Sequence, residues 1–134
     1  MEKVLVVEDT PTWQEIHKSR LERLLGVDSV DIADNYDVAL SMLTQSYAAY
    51  IVDGEFPRSQ GGKAGPLGIQ FTREIHQREN SYDKVFLVSG NPDVLKDAQT
   101  KGITKVYTKG SADADEGIGD LTNLMNDLRS LLIK

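Results

Sequence analysis

The stretch Val4-Leu5-Val6-Val7-Glu8-Asp9 decides the fold. Its apolar part, rich in β-branched residues, predicts a short buried strand, and two carboxylates follow at the end of that strand. The pattern recurs where Asp53 follows Tyr50-Ile51-Val52 and where Lys109 follows Val106-Tyr107-Thr108. The carboxyl ends of parallel strands share one edge of a sheet, and ligands bind outside that edge. We therefore expect these charged side chains to meet in space.

Clustered acids repel one another, and their pKa values rise unless a cation lies among them. Glu8, Asp9 and Asp53 therefore predict a divalent metal ion, with Lys109 completing the charge balance. Any one of these acids alone would more often be a helix cap or a solvated turn residue. Their joint placement at strand ends favours a functional site.

The size and composition of the chain limit its class. A length of 134 residues predicts one domain, residues 1–134. With 21 acidic and 15 basic residues and no basic run, we do not expect direct binding to nucleic acid. The absence of cysteine excludes disulfides and thiolate chemistry. No apolar run is long enough for a secretory signal or a membrane span, so a cytoplasmic protein with no membrane association is the simplest expectation.

Strand-like and helix-like segments alternate along the chain. Thr10-Pro11 and Asn91-Pro92 are typical helix starts, while Gly26 and Gly102 are typical helix ends. Five β/α pairs in alternation predict an α/β fold, a parallel sheet with helices on both faces. The predicted strands are 3–7, 27–32, 49–52, 84–88 and 105–108, and the predicted helices are 11–25, 35–46, 67–79, 92–101 and 118–133.

Residues 54–68 interrupt the alternation. Glycines and prolines are concentrated there, which predicts a long loop without regular elements, of the kind that often carries function. The loop contains Lys63, which could contact a partner or cover the site. Its glycines do not match a phosphate-cradling signature.

The chain resembles the receiver domain of two-component response regulators over essentially its whole length. The resemblance is carried by Glu8, Asp9, Asp53, Ser89 and Lys109, which occur in the family's order, each at the end of the appropriate strand. It implies a flavodoxin-like (βα)5 fold, a doubly wound parallel sheet of five strands in the order 2-1-3-4-5. It also implies a signalling domain that assists its own phosphorylation and dephosphorylation rather than a turnover enzyme.

The resemblance assigns roles to these residues. Glu8 and Asp9 would be the acidic pair that holds Mg²⁺, and Asp53 the phosphoacceptor of a histidine kinase. Lys109 would be the invariant lysine that contacts a phosphoryl oxygen. Ser89 would be the hydroxyl residue that moves toward Asp53 once phosphate is present, which shifts a two-state surface.

The preferences of Mg²⁺ extend this expectation. Octahedral oxygen coordination suits Asp9 and Asp53 as direct ligands, Glu8 acting through water, and the backbone carbonyl of Glu55. A cation is needed because the incoming phosphoryl group is negative and its charge must be neutralised in the transition state.

The chain departs from the family at several positions. Gly110 stands where the family usually has a proline joined to the lysine by a cis bond. Val106 occupies the usual place of an aromatic switch residue, and Tyr107 follows one position later. The loop after Pro57 is longer than the family norm, and the charge of Glu55 could alter the phosphoryl lifetime. These differences leave the strength of switching open.

The resemblance implies a histidine kinase or a histidine phosphotransfer protein as one partner. The output would be a downstream protein target or an output domain from which this chain was excised. The broad apolar face of the last helix leaves a weak homodimer open. Two other functions are compatible with the sequence. One is a pseudo-receiver that binds its partner without phosphorylation, and the other is an aspartate-based phosphohydrolase, which Glu55 disfavours because such enzymes need an aspartate there.

The remaining aromatic and imidazole side chains have plainer interpretations. Trp13 and Tyr107 are expected to be partly buried packing residues rather than ligand platforms. His17 and His76 are expected at the surface or boundary of their helices, because their spacing does not form a metal pair.

Overall fold

The computed structural model describes residues 3–109 and 115–133. Within these ranges strands and helices alternate as expected, with two additional short strands in the loop that follows the third strand. The strands are β1 Val4–Val7, β2 Val30–Ala33, β3 Ala49–Asp53, β4 Phe56–Pro57, β5 Ala64–Gly65, β6 Val85–Ser89 and β7 Val106–Thr108. The helices are α1 Pro11–Leu25, α2 Tyr36–Met42, α3 Gly68–Glu79, α4 Pro92–Thr100 and α5 Asp115–Leu132.

The main sheet is parallel and has five strands in the order β2-β1-β3-β6-β7. Strands β4 and β5 lie outside it, so this is the predicted order 2-1-3-4-5. The flavodoxin-like α/β fold is therefore confirmed.

The sheet is covered on both faces, which is why its strands are continuous apolar runs. Leu5 and Val7 point to one face, and Val4 and Val6 point to the other. The first face packs against α2, α3 and α4, and we call it the α2–α4 face. The second packs against α1 and α5, and we call it the α1/α5 face.

The two cap-plus-proline signals placed their helices correctly. Asn91 caps α4 with its side chain, whose Oδ1 accepts a hydrogen bond from the Asp93 backbone N–H at 3.0 Å. Thr10 stands at the N-cap position of α1 but makes no side-chain cap bond. Its backbone N–H donates instead to Glu8 Oε1 at 3.0 Å, which ties the start of α1 to the end of β1.

Several predicted boundaries were wrong by a few residues. Strand β2 begins at Val30 rather than at residue 27, because Gly26 and Asp28 have φ values of 106° and 67° and turn the chain first. Helix α2 ends at Met42 rather than at residue 46, and α5 begins at Asp115 rather than at 118. Gly110 lies outside the described residues, so the expectation about the peptide bond between Lys109 and Gly110 stays a prediction.

The loop predicted to lack regular elements contains a small hairpin, in which β4 pairs antiparallel with β5. That prediction was wrong because two-residue strands show no periodicity in sequence. Phe56 anchors the hairpin by burying its ring completely in the α2–α4 face. The Arg58 carbonyl accepts a hydrogen bond from the Asp37 backbone N–H at 2.9 Å, and the Arg58 guanidinium lies 4.7 Å from the Tyr36 ring centroid.

Among the helices of residues 3–109 and 115–133, none combines the length and the apolar character that crossing a membrane requires.

Candidate functional site

The carboxyl edge of the sheet gathers the predicted charged residues. Glu8 and Asp9 follow β1, and Asp53 ends β3, its neighbour in the sheet. One carboxylate oxygen from each of these three residues lies within 4.8 Å of the other two. Glu8 and Asp53 are buried, with 1% and 7% of their surfaces exposed, and Asp9 is half-buried. The strand-end pattern therefore predicted this cluster correctly.

Lys109 brings a positive charge to the cluster from the end of β7. Its Nζ lies 2.6 Å from Glu8 Oε2 and 3.3 Å from Asp53 Oδ2. The backbone fixes its approach, because the Lys109 N–H donates to the Ser89 carbonyl at 2.9 Å. The ammonium thus lies closer to Glu8 than to Asp53, which leaves Asp53 less completely neutralised.

The electrostatics of Asp53 reflect this arrangement. Burial raises the pKa of Asp53 from 3.8 to about 7, and the nearby charges of Glu8 and Asp9 also raise it. Lys109 opposes that rise through its charge and its hydrogen bond. Three carboxylates against one ammonium leave the pocket short of positive charge.

The residues present suit a hard divalent cation. Their donor set consists of carboxylate oxygens, which Mg²⁺ and Mn²⁺ prefer, and the excess negative charge provides the electrostatic attraction. A cation bound among Glu8, Asp9 and Asp53 would relieve the repulsion that raises the pKa of Asp53.

Ser89 ends β6, one residue beyond the residue that pairs with Asp53. It is 2% exposed, and its Oγ accepts a hydrogen bond from the Asn91 backbone N–H at 3.0 Å. A Cβ atom at Gly54 would lie 2.8 Å from Ser89 Oγ and 2.9 Å from Val94 Cγ1. Only glycine at position 54 allows Ser89 and α4 to pack this closely against the residue after Asp53.

No family model matches the chain, and no curated protein matches it. Solved structures do. Response regulator protein TrrA from Thermotoga maritima, in complex with Mg²⁺-BeF, is 25% identical with a TM-score of 0.69, over 98% of this chain and 100% of that one. The receiver domain of a Francisella response regulator is 22% identical with a TM-score of 0.67, over 97% and 98% of the two chains. A histidine kinase complex, ThkA with TrrA, is 21% identical with a TM-score of 0.69, over 98% and 99%.

The chain has the receiver-domain fold. The resemblance drawn from the sequence is thereby confirmed. Within this receiver fold, Glu55 lies two residues beyond Asp53 with its side chain exposed, and the role of its carbonyl as a metal ligand stays a prediction.

The two residues near the aromatic position of a receiver domain point to opposite faces. Val106 packs on the α2–α4 face, whereas Tyr107 is buried on the α1/α5 face. The Tyr107 hydroxyl donates to Asp127 Oδ2 of α5 at 2.5 Å. Tyr107 therefore does not take the place of an aromatic residue at position 106. It is a packing residue, as the sequence predicted, and is 5% exposed.

Two residues on α1 lie beside the cluster without having been assigned to it. The Trp13 ring centroid lies 5.2 Å from Lys109 Nζ, and the Trp13 and His17 rings are 5.7 Å apart. The prediction that His17 lies at the surface or boundary was wrong, since His17 is 1% exposed. Burial, with the charges of Lys109 and Arg20, lowers the pKa of His17 from 6.5 to about 4.

A signal for the burial of His17 was present in the sequence. Trp13, His17 and Leu21 are spaced four residues apart, so they lie on one face of α1, and all three are buried. A polar residue type obscured that spacing.

Proposed function

We propose that the chain is a phosphorylation-activated signalling switch whose phosphoacceptor is Asp53. The phosphoryl group would come from a sensor histidine kinase or a phosphorelay protein, and a protein partner would read the altered surface. The observation that supports this most is the buried Asp53 carboxylate beside the Lys109 ammonium and two further acids. The kinase complex of TrrA, which has the same fold, supports a histidine kinase as the class of partner.

In the proposed reaction an Asp53 carboxylate oxygen attacks the phosphorus of the donor. The bond from phosphorus to the donor's histidine nitrogen, or to the oxygen of acetyl phosphate, breaks, and the leaving group keeps the electron pair. Lys109 is close enough to neutralise charge on a phosphoryl oxygen attached to Asp53. A bound Mg²⁺ would supply the further positive charge that the transferring group requires.

The hydrogen bonds of Glu8 support a division of labour among the acids. Its Oε1 accepts from the Thr10 backbone N–H, and its Oε2 pairs with Lys109 Nζ. Because both oxygens already have donors, Glu8 is suited to act on the metal through water. Asp9 and Asp53 would be the direct ligands, together with the carbonyl of Glu55.

Ser89 is suited to report the phosphorylation state. Its Oγ now accepts from the Asn91 N–H at the N-terminus of α4. A hydroxyl that accepts one hydrogen bond can donate another, so the Ser89 hydroxyl is free to donate to a phosphoryl oxygen on Asp53. A shift of Ser89 Oγ toward that oxygen would pull on its bond to the Asn91 N–H. Phosphorylation would thereby change the start of α4.

Incubation with acetyl phosphate and Mg²⁺, followed by intact-mass measurement, tests the proposal. We expect the wild type to gain one phosphoryl group, and we expect Asp53→Ala and EDTA each to abolish the gain. Asp83→Ala is the matched control, because Asp83 is an exposed aspartate before β6 and should not affect labelling.

Mg²⁺-dependent labelling that persists in Asp53→Ala would refute the assignment of the phosphoacceptor. A wild type that neither gains mass nor binds beryllofluoride in the presence of Mg²⁺ would refute phosphorylation altogether.

A further inference from the structure

The face of Trp13 makes a contact with Lys109 that the proposed reaction does not by itself require. Lys109 Nζ lies 5.2 Å from the ring centroid, within the distance at which the negative face of an indole attracts a cation. Trp13 is 6% exposed, and the Lys109 side chain is 13% exposed. Water therefore screens this attraction weakly, and its contribution is larger than at an open surface.

Among the described residues, the ammonium also contacts two carboxylates, and both of these serve a second purpose. Glu8 and Asp53 both pair with Lys109, and both belong to the acidic cluster suited to a divalent cation. A carboxylate oxygen shared with such a cation attracts the ammonium less strongly. The Trp13 ring does not compete in this way, because hard divalent cations in proteins bind oxygen ligands.

We propose that Trp13 is a positioning residue that keeps the Lys109 ammonium at the Asp53 site when the Asp53 carboxylate takes a metal ion or a phosphoryl group as a partner. This inference rests on the proposed phosphoacceptor function and adds a residue from α1 to it. Trp13 acts through Lys109 and need not contact the phosphoryl group.

The surroundings of Trp13 hold its ring in place. Pro11 fixes the first turn of α1, and the indole packs into the α1/α5 face. The His17 ring lies 5.7 Å away at an angle of 36°, one turn further along the helix. His17 is buried, and its pKa of about 4 keeps it neutral at pH 7, so it adds no second positive charge beside the ammonium.

The rate of Asp53 labelling by acetyl phosphate with Mg²⁺ provides the first test. We expect Trp13→Leu, which removes the aromatic face, to lower the rate by about three- to tenfold, the range expected for loss of a partly buried cation–π contact. Trp13→Phe keeps an aromatic face and should recover part of the rate. Tyr82→Leu is the matched control, because Tyr82 is a half-buried aromatic residue packed on the α2–α4 face.

The emission of Trp13 provides a second test that does not depend on phosphorylation. Trp13 is the only tryptophan, so fluorescence excited at wavelengths that the five tyrosines do not absorb reports the surroundings of Trp13 alone. An ammonium over the ring shifts the emission, and Lys109→Met should abolish that shift. The difference between wild type and Lys109→Met should persist at saturating Mg²⁺. Lys101→Met, at an exposed lysine after α4, should emit like the wild type.

The outcomes separate this inference from the proposed function. Wild-type labelling rates in Trp13→Leu, or an emission difference that Mg²⁺ abolishes, would overturn the positioning role and leave the phosphoacceptor assignment intact. An unlabelled wild type would overturn the proposed function, and the emission comparison would still test whether Trp13 holds the ammonium. If Trp13→Leu fails to fold, the emission comparison decides the matter by itself.

Discussion

The two faces of the sheet support the same edge in different ways. On the α1/α5 face, side chains restrain the site: Trp13 lies against Lys109, and Tyr107 bonds to Asp127. On the α2–α4 face the restraint is close packing at two glycines: Gly68 lets α3 approach the backbone of Asp53 and Gly54, and Gly54 leaves room for the Ser89 and Val94 side chains. The difference indicates that one face fixes the charges, while the other packs α3 and α4 closely against Asp53 and the residues beside it.

The charge of Asp53 is expected to destabilise the fold, because the carboxylate is buried beside Glu8 and Asp9. Removing that charge tests this expectation. The folded pKa of about 7 exceeds 3.8, so the folded protein binds this proton more tightly than the unfolded chain does. The stability associated with Asp53 is therefore complete below pH 3.8 and is lost as the pH rises through about 7.

We expect metal-free Asp53→Asn to be more stable than the wild type at pH 8, by up to about 4 kcal/mol, and nearly equal to it at pH 4. Urea unfolding in EDTA at both pH values measures this, with Asp83→Asn as the exposed control. Equal stability of Asp53→Asn and wild type at pH 8 would show that this charge does not destabilise the fold.

The close packing of the α2–α4 face can be broken with one methyl group. A Cβ atom at Gly68 would overlap the Asp53 carbonyl oxygen and lie 2.7 Å from Gly54 Cα. Because these neighbours are backbone atoms of Asp53 and Gly54, which cannot move aside easily, Gly68→Ala should lower the unfolding free energy by about 2 to 3 kcal/mol. Urea titration measures this loss.

Gly65→Ala is the matched control for that substitution, because nothing lies within 4 Å of a Cβ atom at position 65. We expect its unfolding free energy to stay within about 0.5 kcal/mol of the wild type. Similar losses of unfolding free energy in both variants would mean that the close approach of α3 to β3 is not the reason why position 68 requires glycine.

A smaller effect is expected on the α1/α5 face, where the hydrogen bond between Tyr107 and Asp127 can be removed by itself. Tyr107→Phe removes the hydroxyl that bonds to Asp127 and keeps the buried ring, so it should cost about 1 kcal/mol of unfolding free energy. Tyr36→Phe, on the α2–α4 face, should cost less, because the contacts of Tyr36 with the Phe71 ring and the Arg58 guanidinium are made by its ring, which phenylalanine keeps. Chemical denaturation of both variants compares them, and a larger loss in Tyr36→Phe would contradict this description.

The sequence was sufficient to predict which charged residues meet at the edge of the sheet, but not which side chains pack against them. Glu8, Asp53 and Lys109 were predicted to meet because each ends a strand, and the strand-end rule depends only on parallel topology. The contact between Trp13 and Lys109 joins the first turn of α1 to the residue after β7, and no pattern local to either element specifies that the two meet. The side of the sheet to which Tyr107 points became clear only with the strand register.

The hairpin and His17 show two other limits of sequence patterns. Strands β4 and β5 are two residues each, so composition indicated a loop, while the burial of Phe56 and the partners of Arg58 order the segment. His17 follows the apolar spacing of α1, but a polar residue type concealed its burial. In both cases tertiary contacts overrode a correct reading of local composition.

The hairpin ends in a tip, residues 59–63, that is exposed throughout, while its base is held by Phe56 and Arg58. Exposed tips of this kind accept added residues, since the extra chain extends into solvent and leaves the core untouched. The tip is thus an attachment point for a fluorophore or a short peptide tag, carried on an anchored arm that starts three residues after Asp53. A probe attached there would be linked to the chain through a segment that the buried Phe56 anchors to the α2–α4 face.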